Sequence, residues 1–347
     1  MEMSAAFSPT RSPDVVVVGG GLIGLAIALE LSDRGAEVTV VDRGRCLGAA
    51  STAAAGMLAA EDPGNPAELW ELSRLSIERY PAFLRRIEAL TGIAVPFQTE
   101  TTLQYLEDRS TLRLQERSID PRQLAAALYV AVGATSIQLL EHTLIAAVED
   151  DAAGITVRLS GGADIATRSV LYAAGAWSSE LMKSLGEDPM PVIPRKGQML
   201  RVRLPFALDE VHRSEGIYIV PRTSGPQAGT ALIGATVEDA GFDTSVGSEA
   251  LKALRALAAE LIPGLALESN APLVESWAGL RPATPDRLPI LGACSERRRF
   301  IATGHYRNGI LQAPATALVM ADLVEGRSPS IDLSSLSPRR FALTPTI

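Results

Sequence analysis

Four consecutive valines running straight into three glycines constrain this chain more than any other stretch of it. Residues 14–18, Asp-Val-Val-Val-Val, predict a strand buried on both faces, because a short β-branched run without polar alternation offers no face to water. Residues 19–24 break that strand, residues 25–34 have helical spacing with Gly35 as the stop, and residues 36–41 predict a second strand closed by Asp42. The order is that of a βαβ unit of about thirty residues. Gly19, Gly21 and Gly24 spell G-x-G-x-x-G at its turn. The first glycine permits the tight turn, the second lets backbone approach a pyrophosphate, and the third lets helix and strand pack closely. Free N–H groups and the partial positive charge at the helix N-terminus favour phosphate there. Asp42 stands near the spacing at which an acid bonds a ribose hydroxyl. These features predict a dinucleotide site without separating a flavin from a nicotinamide.

The 347 residues are enough for two domains, or for one nucleotide-binding domain with a large insertion. Hydrophobic residues at 47% against 21% charged make a sizeable core available. A net charge of −8 with no basic run argues against nucleic acid as a partner. Cys46 and Cys294 cannot make a disulfide framework, and His142, His212 and His305 are too scattered in sequence to suggest a metal cluster. The apolar run 15–31 contains three consecutive glycines and lacks the basic flank of a signal peptide, so the expectation is a cytoplasmic protein with no membrane partner.

Further along, residues 69–90 predict a helix with charged faces, and Asp120-Pro121-Arg122 opens another that runs to about residue 132. Strand-like pieces follow at 135–148 and 154–159, then a short strand at 169–173 that leads at once into Ala174-Gly175-Ala176-Trp177. Residues 198–202, 216–220 and 231–234 alternate as strands do, before a helix at 248–261. A strand at 300–303 and a helix at 309–323 close the pattern. The predicted fold class is α/β with an α+β insert. A Rossmann-like nucleotide domain assembles from segments 13–64, 133–190 and 271–330, and a mixed or antiparallel sheet forms a second domain from 65–132 and 191–270, with 1–12 and 331–347 as tails.

After the second strand comes Gly48-Ala49-Ala50-Ser51-Thr52-Ala53-Ala54-Ala55-Gly56-Met57, small residues over a length that lets backbone lie along an extended ligand. Alanine predominates over glycine and serine, which disfavours a flexible linker. This stretch, together with Tyr218-Ile219-Val220-Pro221-Arg222, Trp277-Ala278-Gly279-Leu280-Arg281-Pro282 and Gly304-His305-Tyr306-Arg307-Asn308-Gly309-Ile310-Leu311, resembles the glycine oxidase branch of the D-amino acid oxidase and sarcosine oxidase family of FAD-dependent oxidoreductases. The resemblance spans residues 14 to about 326 and implies non-covalent FAD. It implies that Leu22 and Ile23 serve the pyrophosphate turn, Asp42 and Arg43 the adenosine ribose, and Ile145 the adenine. Ala50, Ser51, Ala55, Gly56 and Met57 would line the path to the flavin, with Ala174 and Gly175 also at the cofactor. His305, Tyr306, Arg307, Asn308, Gly309, Ile310 and Leu311 would wrap the isoalloxazine. Related sarcosine oxidases attach flavin through a cysteine at the segment matching roughly 278–284, and this chain has none there.

The resemblance also makes Arg281 the clamp for a substrate carboxylate, held by two parallel hydrogen bonds. Tyr218 would donate its hydroxyl to the same group, with Arg307 beside it. The implied reaction is oxidative deamination of glycine, sarcosine or a small D-amino acid by hydride transfer to flavin, with O2 reoxidation giving H2O2. No general base is required, because positioning supplies most of the protein's contribution. The product imine would serve formation of the thiamine thiazole. The alternative is a D-amino acid dehydrogenase that passes electrons to a quinone or a protein. The expected partners are a small amino acid, O2 and further copies of the chain in a homo-oligomer, with a tetramer one form. Gly216 and Val237 stand where relatives can carry histidine and methionine, which predicts a roomier pocket or a looser lid. The region 103–122 reads as shortened.

Overall fold

The structure is a computed structural model that describes residues 12–108, 110–151, 154–295 and 298–341. The leader through residue 11 and the tail beyond 341 lie outside the described residues. The valine run forms the strand Val15–Val18, buried at all four positions and flanked in parallel by Val38–Val41 and Ser169–Tyr172. Around it lies a six-stranded sheet ordered Ile290–Ser295, Arg299–Thr303, Ser169–Tyr172, Val15–Val18, Val38–Val41, Gln138–Leu140. Its strands are parallel except for the antiparallel edge strand Ile290–Ser295. Helices Leu22–Asp33 and Gly309–Val324 pack on one face. A three-stranded antiparallel sheet, Asp164–Thr167, Gly154–Leu159 and Ile145–Asp151, closes the other. Both helices are apolar around most of their circumference, as burial between layers demands. This is the α/β class read from the sequence.

Helix Leu22–Asp33 begins three residues before the predicted start at 25. The reason is distant in sequence: Ser51 Oγ accepts the Leu22 amide at 2.9 Å, capping a turn whose own residues carry no cap. Helix Pro121–Gly133 shows the local alternative, with Asp120 accepting from the Arg122 amide at 2.9 Å and proline at the first position.

A second, seven-stranded sheet runs Leu273–Ala283, Ile193–Arg203, Thr230–Gly234, Tyr218–Arg222, Val211–Arg213, Thr102–Tyr105, Thr111–Leu114. The stretch 103–122 supplies its edge hairpin and then a short strand, Ser118–Ile119. Strand Leu273–Ala283, grouped from the sequence with the nucleotide segment 271–330, pairs along its length with Ile193–Arg203. The chain returns to the six-stranded sheet only at Ile290. Partial burial, Gly279 and Pro282 hide this strand's alternation; the partner's register makes it visible.

The two layers meet where residues 56–58 run along 117–119. Ile119 donates to Gly56 O at 2.8 Å and Leu58 to Arg117 O at 2.9 Å. Gly56 has φ +87°, and a Cβ on it would fall 1.9 Å from Ile119 O. Gly56→Ala should therefore lower stability by about 2 kcal/mol or more. The readout is the urea midpoint at constant m; an unchanged midpoint would show that the strand yields without cost.

Candidate active site

Between the two sheets lies a cavity of about 720 Å³. Of the residues singled out above as cofactor or substrate contacts, all but Gly24 and Leu311 line it. Gly24 instead lets the first helix touch the first strand, since a Cβ there would fall 2.0 Å from Gly19 O. Leu311 is 1% exposed and packs in the core beneath the helix start.

The glycine turn fits a pyrophosphate on its own geometry. A Cβ at Gly21 would meet no protein atom nearer than Ser51 Oγ at 3.5 Å. Packing therefore does not demand glycine at this position; the open cavity above it is what a side chain would fill. Asp42 is preset by two backbone donors, Gly20 N to Oδ2 at 2.7 Å and Gly44 N to Oδ1 at 2.8 Å. Each oxygen keeps a further lone pair for a ribose hydroxyl. Arg43 lies with its guanidinium 4.4 Å over the ring of Trp177, which in turn stacks on Phe242 at 5.5 Å and 19°. Sequence reasoning assigned no role to Trp177, Met199 or Thr303, all of which line the wall. The only available signal was an aromatic residue directly after the small-residue turn 174–176.

At the far end, the N-terminus of helix Gly309–Val324 opens on the cavity through Gly309 and Ile310, where its dipole favours negative charge. His305 precedes it. The imidazole is fully buried, its Nε2 is 3.0 Å from Thr316 Oγ1, and burial brings its pKa down to about 3. It is neutral at physiological pH and serves neither as cation nor as exposed base. The thiols of Cys46 and Cys294 are pushed up to about 12 by burial, consistent with packing roles.

Arg281 projects from strand Leu273–Ala283 and lies flat on Gly197 of the neighbouring strand, where a Cβ would be 2.3 Å from Nη2. Its Nη1 donates to Thr236 O at 3.1 Å and to Lys196 O at 3.4 Å. Those two carbonyls use both Nη1 hydrogens, and no carboxylate among the described residues pairs with the guanidinium. Nε and Nη2 form the other edge, the side-on one that takes a carboxylate in two parallel bonds and that faces no carboxylate of the described residues. The Tyr218 hydroxyl lies in hydrogen-bonding reach of Arg281; burial pushes its pKa up, partly offset by Arg281 and Arg307, so it stays a protonated donor. Arg307 is exposed at the cavity wall and carries no ion pair among the described residues. Gly216 and Val237 do not line the cavity, and Val237 is 60% exposed. Of the two expectations for them, the roomier pocket is corrected accordingly, because both positions are exposed and lie outside the cavity wall.

The histidine yields a pH prediction. A folded pKa of about 3 against 6.5 in the unfolded chain means that the neutral form is the one the fold accepts. Its contribution is fully present above pH 6.5 and is lost as pH falls from 6.5 toward 3, by roughly 1 kcal/mol per pH unit. His305→Gln should flatten stability measured by urea unfolding across that window. An equal slope in both proteins would remove His305 from the account.

The FAD dependent oxidoreductase (DAO) family matches residues 14–118 and 112–323 of the chain. A glycine oxidase of Geobacillus kaustophilus is 33% identical over 95% of this chain and 98% of its own length. The bifunctional protein ThiO/ThiG of Trichormus variabilis is 35% identical over 94% of this chain and 55% of its own length. The crystal structure of glycine oxidase from Geobacillus kaustophilus superposes with a TM-score of 0.87 at 32% identity, covering 97% of this chain and 100% of that one. No described helix is long and apolar enough to cross a membrane. Glycine turn, cavity and full-length similarity together place the chain in the DAO family of FAD-dependent oxidoreductases, among its amino acid oxidases.

Proposed function

We propose that the enzyme oxidatively deaminates glycine and other small primary or secondary amino acids, sarcosine and small D-amino acids among them. O2 is the terminal acceptor and H2O2 a product, and the imine serves formation of the thiamine thiazole. The observation that carries this reading is Arg281, a guanidinium with no carboxylate partner among the described residues, in the wall of the same cavity as the glycine turn and within reach of the Tyr218 hydroxyl.

FAD, bound non-covalently, supplies the two-electron acceptor for the hydride that leaves the substrate's α-carbon. The residues that would hold it are Gly21, Leu22 and Ile23 at the pyrophosphate, Asp42 at the ribose, Ile145 at the adenine, and residues 305–310 with Gly56 and Met57 around the ring system. Arg281 fixes the substrate carboxylate and Tyr218 donates a third hydrogen bond to it, which leaves only one rotational choice for the α-carbon. Met57, Met199 and the alanines of 53–55 keep the surrounding wall apolar and exclude water. A neutral His305 and a protonated Tyr218 add no charge that would oppose an uncharged amine.

Anaerobic mixing of the FAD-loaded protein with glycine, sarcosine and D-alanine should bleach the flavin, and air should then yield peroxide. Bleaching without peroxide would instead favour a dehydrogenase that uses another acceptor, and no bleaching with any of the three would sink the proposal. Arg281→Met should raise KM by about a hundredfold, the loss of a charge-assisted bidentate contact; an unchanged KM would move the clamp elsewhere. Gly21→Ala should abolish FAD retention while the apo proteins unfold within about 1 kcal/mol of each other, since the new Cβ meets only Ser51 Oγ, at an ordinary contact distance of 3.5 Å. Retained FAD in that variant would contradict the pyrophosphate placement.

A further inference from the structure

Residues 235–247 leave strand Thr230–Gly234 and do not turn away from the sheet. They run back beside strand Ile193–Arg203, with Glu238 N donating to Lys196 O at 3.0 Å, Lys196 N to Glu238 O at 3.1 Å, and Thr236 N to Gln198 O at 3.3 Å. This strap is stitched by side chains as well. Lys196 is 4% exposed, and its Nζ donates to Asp243 Oδ2 at 2.5 Å and lies 3.8 Å from Glu238 Oε2. Gln198 holds both ends, donating from Nε2 to Glu238 Oε1 at 2.8 Å and accepting the Gly247 amide at 2.7 Å. The lysine holds the Asp243 carboxyl at about 2, well below its ordinary value, with Ser245 adding to the effect.

The strap reaches the active site at two points. Thr236 O and Lys196 O, the two acceptors of Arg281 Nη1, come one from the strap and one from the strand it is stitched to. The direction of the guanidinium therefore depends on how the two segments sit against each other. Past Glu238, Phe242 stacks on Trp177, a wall residue of the nucleotide layer.

We propose that Lys196 is a positioning residue for substrate binding: by stitching the strap 235–243 to strand Ile193–Arg203, it holds the two carbonyls that aim Arg281 at a carboxylate. The proposal rests on the reading of the cavity as a carboxylate-anchored amino acid site. A lysine suits the task because its compact ammonium offers three donors at the end of a stem that the sheet buries. Replacing it by an apolar residue of similar length leaves the sheet intact, since Asp243 is half exposed and returns to water. The strap then keeps its backbone bonds and Gln198 but loses the tie at Asp243, so it shifts against the strand, and the clamp with it.

The test uses the full FAD-loaded protein, with acetate titrated against the flavin absorbance as a non-reacting carboxylate and glycine turnover measured in parallel. Lys196→Met should raise acetate Kd and glycine KM about tenfold, with kcat changed no more than about threefold and FAD content unchanged. Asp243→Asn, on the exposed side of the stitch, should move Kd and KM in the same direction, and Lys196→Arg should restore most of the affinity. A purely structural ion pair would lower FAD content and kcat together and leave Kd alone, and that result overturns the proposal. So does an acetate Kd within twofold of the parent in both Lys196→Met and Asp243→Asn, and if the methionine variant does not fold, the asparagine variant decides. A parent enzyme that binds acetate while both variants match it sinks this inference alone. A parent that neither binds acetate nor is reduced by any amino acid sinks the amino acid reading together with it.

Discussion

A Cβ at Gly24 would lie 2.0 Å from the carbonyl oxygen of Gly19, and one at Gly19 would lie 2.4 Å from that of Ala173. The end of the first strand, the first helix and the backbone at Ala173 thus touch without any side chain between them. Because they do, the first helix points its N-terminus directly at the edge of the sheet, and the cavity begins there. Ser51 then takes the Leu22 amide, which draws the small-residue loop across the turn and sets the path along which the rest of the cavity is built. A side chain inserted at this contact would move the helix, the loop and every residue that the loop presents.

The second sheet is held to that loop by donors that capture its carbonyls. Arg222 donates to Ala55 O at 2.8 Å and Trp277 to Ala53 O at 3.1 Å, while the Arg122 side chain reaches Thr52 O at 3.5 Å. Arg122 and Arg201 also lie 4.7 and 5.5 Å from the Trp277 ring centre. Burial lowers the Arg222 pKa to about 10, a cost that the nearby Asp120 partly offsets. Cations buried this way hold irregular backbone in one place, which a cavity assembled from loops requires and which apolar packing alone would leave free to slide.

The strand–glycine–helix unit was legible because each of its signals is local: β-branched residues, glycines at fixed offsets, an acid at the end of the next strand. Helix Ser248–Leu261 was readable to the residue for the same reason. Arg281 and Tyr218 were reachable only through resemblance, since an arginine before a proline is an ordinary surface residue in isolation. What could not be read was whatever depends on a neighbour distant in sequence. The early start of the first helix needs Ser51, the strand at 273–283 needs Ile193–Arg203, and the stacking of Arg43 on Trp177 and Phe242 joins three loops. Gly216 and Val237 show the reverse: two positions read as enlarging the pocket or loosening its lid lie outside the wall, which removes the first of those roles.

By itself, then, the sequence determined that this chain would bind a dinucleotide on a parallel sheet, because the strand, the glycine turn and the terminal acid are set by residues within thirty positions of one another. It also determined the chemical character of the site, since the guanidinium and the phenol are carried in its letters. Only the tertiary structure decided which edge of Arg281 is free. That depends on two carbonyls brought together by a lysine, a strap and a paired strand, and a hydrogen-bond donor has a direction only when its other hydrogens are already engaged.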